Sequence, residues 1–142
     1  MAVYLEKNKV LNNSKYTIVN SLISEKKEIE FNIYDDYLGS SIYSRDVGTN
    51  PQKITIECTT VRELEGRHNL KFDVLIMDIE GSELEVVQNT DLSNINLLIV
   101  EFHYDVLGKE GHDEYSNILQ KAGFELLQTR GTVECWRRED LK

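Results

Sequence analysis

The chain has 142 residues, enough for one domain with a real core and too few for two. Its 16 Lys and Arg against 25 Asp and Glu leave a formal net charge of -9, which argues against nucleic-acid backbones and anionic membranes as partners. There is no N-terminal signal pattern and no apolar run near the roughly 20 residues of a membrane span, so a cytoplasmic, reducing location is expected.

In chain order, Val3 to Asn13 reads as a helix stopped by Asn12-Asn13-Ser14. A strand is expected over Tyr16 to Ile23, then a polar turn over Ser24 to Glu28. Ile29 to Tyr34 alternates apolar and polar residues with period two, which marks a half-buried strand. Asp36 to Gln52 is a long loop with Gly39, Gly48, Pro51 and a Ser-rich piece, and loops of that length usually serve a function. Lys53 to Thr59 alternates again. Thr60-Val61-Arg62-Glu63 is a capping box that opens a short helix ending near Gly66.

The next stretch organises the rest. Phe72 and then Val74 to Met77 make a largely apolar run, the pattern of a parallel strand covered on both faces. It ends in Asp78 and Glu80, two apart and so on one face of an extended chain. Gly81 turns the chain, and Ser82-Glu83-Leu84-Glu85 reads as a second capping box. Glu83 and Glu85 then look like first-turn acids that cap the helix, pair with a lysine or bind loop backbone, and they suit the helix dipole.

Asn96 to His103 repeats the design, an apolar run closed by Glu101 and His103. The two runs with the helix between them form a βαβ unit, whose parallel strands deliver Asp78, Glu80, Glu101 and His103 to one edge. In open α/β sheets that edge is where ligands bind. Lys109 to Asp113 reads as a polar loop, and His68 and His112 as loop residues. Tyr115, Ile118, Leu119 and Ala122 make an amphipathic helix closed by Gly123. Phe124 to Gln128 and Val133 to Arg137 form a hairpin, so the last part of the sheet is antiparallel. Cys58 and Cys135 show no metal-ligand spacing and read as buried thiols.

From the residues alone, this is an α/β domain with an acidic strand-end site. The site suits a general base with an orienting acid, or a divalent metal held by carboxylates and imidazole. No Gly-rich phosphate loop, nucleophile elbow or zinc spacing is present. Tyr34, Tyr37, Tyr43 and Tyr104 read as strand core or surface before pocket lining.

Phe72 to Val87 closely resembles the signature of the FkbM family of S-adenosylmethionine-dependent methyltransferases, in which a strand ends in Asp-x-Glu-Gly-x-Glu and a helix begins. Leu5 to Asn13, Ser40-Ser41-Ile42, Val61 to Leu64 and Leu98 to His103 are similar to further family segments, so the likeness spans nearly the whole chain. It implies one domain over 1–142, a Rossmann-like class I methyltransferase sheet of mixed direction ending in an antiparallel hairpin. It implies methyl transfer to a hydroxyl of a small molecule or saccharide, with S-adenosylmethionine as cofactor. Asp78 would lie by the cofactor's methionine end or the acceptor hydroxyl. Leu22, Ile23 and Ser24 would lie near the adenine, and Glu80, Glu101 and His103 would face the acceptor. The resemblance assigns no metal ligand.

The family's first two strands, with the Gly-rich cofactor loop and the ribose-binding acid, have no counterpart here, so the domain is expected to be N-terminally truncated. Two other functions follow from that expectation and from the acids. One is a non-enzymatic remnant or interaction domain that pairs with a second copy or a partner chain through an open sheet edge. The other is a metal-dependent hydrolase using Asp78, Glu80, Glu101 and His103.

Overall fold

A computed structural model describes residues 2–34 and 52–139. The expected long loop, with its Ser-rich piece, Tyr37 and Tyr43, lies outside these residues except for Gln52. Helix α1 (Ala2–Leu11) buries none of its residues. It is tied back by the Tyr16 hydroxyl, which donates to the Leu5 carbonyl at 2.9 Å. The strand expected over Tyr16 to Ile23 shrinks to β1 (Leu22–Ile23), because among the described residues only these two find a ladder partner, in Cys58 and Thr59.

Strands β2 (Glu28–Ile33) and β3 (Gln52–Thr59) pair antiparallel, from Glu28↔Glu57 to Ile33↔Gln52. With β1 they form a three-stranded sheet of order β1-β3-β2. The capping box at Thr60 forms as expected and opens α2 (Val61–His68). The helix continues past Gly66 and closes on Asn69 in the left-handed conformation. The Thr60 N–H, and then the Thr59 hydroxyl, hold the Glu63 carboxyl below its ordinary range. His68 is the last residue of this helix and is exposed.

The second sheet has the order β4-β5-β7-β6. Strand β4 (Val74–Met77) runs parallel to β5 (Leu97–Glu101), with α3 (Glu83–Asn89) between them in the chain, so the expected βαβ unit forms. Helix α4 (Tyr104–Lys121) leads to β6 (Phe124–Arg130) and β7 (Val133–Arg138), the antiparallel hairpin, with an irregularity between Leu126 and Gln128. The hairpin strands run longer than expected and leave only Gly131 and Thr132 as the turn. Helix α4 absorbs Lys109 to Asp113, expected as a loop, and absorbs Gly108 as a local break at φ 64°.

The core joins Leu98 and Val100 of β5 to Val86 and Val87 of α3, Tyr115 and Leu119 of α4, and Trp136 of β7. Met77 of β4 joins it, but Ile76 and Val74 on the opposite face remain 70% and 42% exposed. Strand β4 is therefore not buried on both faces. Among the described residues it is a sheet edge, and the apolar cluster covers the face that Met77 and Leu75 share. His112, expected in a loop, lies in α4 and meets the buried Glu134 carboxylate at 2.7 Å, while the Trp136 indole N–H donates to its other oxygen at 2.9 Å. Beside them, burial pushes the Tyr115 hydroxyl well above its ordinary pKa. Arg138 closes the base of the domain. Its guanidinium donates to the carbonyls of Ile95 (2.9 Å), Ala122 (2.7 Å) and Leu92, and stacks 4.5 Å over the Phe124 ring.

Candidate functional site

The site is built on the turn between β4 and α3. Strand pairing stops at Met77. Glu80 then takes a left-handed conformation (φ 56°) and Gly81 follows at φ 105°. The chain thus bends sharply, and the bend rather than strand alternation brings Asp78 and Glu80 to one point. There they meet His103, which stands just beyond β5 as the N-cap of α4. His103 Nε2 lies 3.9 Å from Asp78 Oδ1 and 3.4 Å from Glu80 Oε2. One ligand-capable atom from each of the three residues falls within 4.8 Å of the others.

Glu83 is the residue that sequence patterning misses. Read as a first-turn acid that caps the helix or binds loop backbone, it is 0% exposed and reaches a ring on another element as well. Its Oε1 accepts the Gly81 backbone N–H at 3.1 Å and lies 2.8 Å from His103 Nδ1. A carboxylate in this place accepts a hydrogen bond from Nδ1–H, and Nε2 faces the acidic corner. Glu83 Oε2 is buried and has no hydrogen-bond partner. A signal for this role was present, since Glu83 lies 20 residues before His103 on the far side of a βαβ unit, but spacing alone does not separate it from a dipole acid.

The second capping box does not form. Ser82 is the N-cap of α3 but makes no side-chain cap bond. The orphan Gly81 N–H goes to Glu83, and Glu85 turns away to accept the Ser24 hydroxyl at 2.7 Å. Glu101 leaves the cluster as well. Its carboxylate accepts the Thr132 hydroxyl at 3.1 Å, across the start of the hairpin.

Of the residues expected near a cofactor, Leu22 and Ile23 line an apolar cavity of about 120 Å³. Ser21, Phe31, Ile79 and Ser82 complete most of its wall. Ser24 lies just outside it, buried and held by Glu85. Asp78 is not in this wall. It flanks Ile79 on the opposite side of the same turn, toward His103.

An α/β domain that gathers two carboxylates and an imidazole where a parallel strand gives way to a helix, beside an apolar cavity, has the layout of a strand-end ligand site. The model of the Methyltransferase FkbM domain matches residues 4–126. The chain belongs to the FkbM methyltransferase family. Neither a curated protein nor a solved structure matches it. No helix among the described residues is long and apolar enough to cross a membrane.

Proposed function

We propose that the chain is an S-adenosylmethionine-dependent O-methyltransferase acting on a hydroxyl of a small molecule or saccharide. One observation carries the reading. A fully buried carboxylate, Glu83, holds His103 through Nδ1 and leaves Nε2 facing an open acidic corner. That is the arrangement of a general base with an orienting acid.

The cavity walled by Leu22, Ile23 and Phe31 offers apolar faces, in keeping with the flat faces of an adenine end. At about 120 Å³ it is below the roughly 300–1,000 Å³ of a complete small-molecule site, so it accommodates only part of such a cofactor. When bound, that cofactor supplies the methyl group. The chain's own residues do the rest. Nε2 of His103 takes the acceptor's proton, Glu83 stabilises the imidazolium that results, and Asp78 and Glu80 orient the acceptor at the corner.

The same reading includes a Rossmann-like order for the sheet strands and a cytoplasmic setting, in keeping with the unbridged thiols of Cys58 and Cys135. It also includes a partner chain or second copy along β4, whose exposed Ile76 is in keeping with such pairing.

The test is calorimetric titration of the folded chain with S-adenosylmethionine. Saturable binding is expected, and it should be lost in Ile23→Trp, which fills the cavity. A folded wild-type chain that gives no binding heat would remove the reading.

A further inference from the structure

We propose that Glu85 sets the ligand specificity of the apolar cavity, its free carboxylate oxygen accepting a hydrogen bond from an exocyclic amine on the ligand's flat end. The cavity then takes an aminopurine in preference to the same purine without its amine. Among the described residues of the wall, Glu85 is the only ionisable one, set beside the apolar side chains of Ile23, Phe31 and Ile79. It stands in the first turn of α3, where it would complete a capping box, but the box does not form and its side chain goes elsewhere.

Ser24 holds it there. Ser24 is 6% exposed, and its hydroxyl oxygen accepts the Lys26 N–H at 3.3 Å while its proton goes to Glu85 Oε1 at 2.7 Å. That bond pins one oxygen of the carboxylate. The other, Oε2, makes no hydrogen bond among the described residues and stays open to solvent. Among the same residues no lysine or arginine forms an ion pair with Glu85. Withdrawing a carboxylate partly from water without a cation costs stability, and an N–H donor on a ligand offsets that cost. Glu85 also borders a second recess, but at about 10 Å³ that holds at most one water. A ligand therefore reaches the carboxylate from the cavity side. A carboxylate accepts and cannot donate, so it rewards an amine at the end of a flat ring and gives nothing to a ring that lacks one. The inference rests on the methyltransferase reading, which supplies the aminopurine.

The test is calorimetric titration of the full chain with S-adenosylmethionine's demethylated form, S-adenosylhomocysteine, and with its 6-deamino analogue, in which hydrogen replaces the exocyclic amine. The wild type should bind the amine-bearing ligand about 10- to 100-fold more tightly, the range of one hydrogen bond to a charged group. In Glu85→Gln the Ser24 hydroxyl still finds an oxygen acceptor, so the fold and the pinning bond survive. The amide NH2 then stands where Oε2 stood and meets the ligand's amine donor to donor. The variant should lose that preference, with affinity for the deamino analogue unchanged. Equal affinity of the wild type for the two ligands, or an undiminished preference in a folded Glu85→Gln, overturns the inference and leaves the methyltransferase reading standing. A folded wild type that binds neither ligand removes both.

Discussion

Gly81→Ala should destabilise the domain by about 2–5 kcal/mol, and the geometry divides that cost in two. A Cβ at this position would stand 2.6 Å from Cγ1 and 2.9 Å from Cβ of Val106, in the first turn of α4. Forcing a methyl into a packed contact costs about 1–3 kcal/mol. Position 81 also holds φ 105°, where an L side chain adds about 1–2 kcal/mol of backbone strain. Only the first part depends on Val106. Val106→Ala removes two of the three nearest atoms but leaves its Cβ in place, so relief should be partial. The double mutant should therefore be less unstable than the two single effects added, by about 1–2 kcal/mol. Urea denaturation of the four proteins, read as midpoints at constant slope, measures this directly. A Gly81→Ala cost below about 1 kcal/mol, or strict additivity with Val106→Ala, would refute the packing of the turn against α4.

Thr60→Ala should cost about 1 kcal/mol through loss of the N-cap bond to the Glu63 N–H, and a denaturation midpoint checks it. Glu63→Gln should flatten the acid limb of stability. The folded carboxyl titrates below its ordinary range, so its contribution is complete above that range and fades as pH falls through the lowered value. Comparing the variant with wild type at about pH 6 and about pH 3 reads the difference, and parallel curves would contradict it. Arg138→Lys should cost about 2–3 kcal/mol by thermal or chemical unfolding. A compact ammonium cannot reach the Ile95, Ala122 and Leu92 carbonyls that the planar guanidinium spans.

The elements legible in the sequence are those fixed by local rules. Thr60 and Glu63 form their capping box because both partners lie within one helical turn. The βαβ unit and the hairpin follow from runs whose partners come next in the chain. What was misread depends on distant contacts. Tyr16 to Asn20 has strand-like residues but no ladder partner among the described residues, so pairing overrides propensity. Ile76 looks buried by type, but burial requires a neighbour on that face. Lys109 to Asp113 is polar enough for a loop, but the Lys109–Asp113 pair and the His112–Glu134 contact suit a helix.

The candidate site divides in the same way. Asp78, Glu80 and His103 were legible as strand-end polar groups, although the turn rather than the strand makes them converge. Glu101 follows the same pattern, but Thr132 draws it away. Glu83 was hidden because a first-turn glutamate has a ready local use, and only the fold shows that its partner is a ring on another element.

The turn from Asp78 to Ser82 serves two sides. Ile79 and Ser82 wall the cavity while Asp78 and Glu80 face His103, and Gly81 is wedged against Val106. So short a segment has little freedom to adjust one side without the other. Any factor by which an occupant of the cavity changes the affinity of an occupant of the corner must equal the factor by which the corner's occupant changes the affinity of the cavity's. A coupling of that kind would run through five residues, and the order of filling makes no difference to its size.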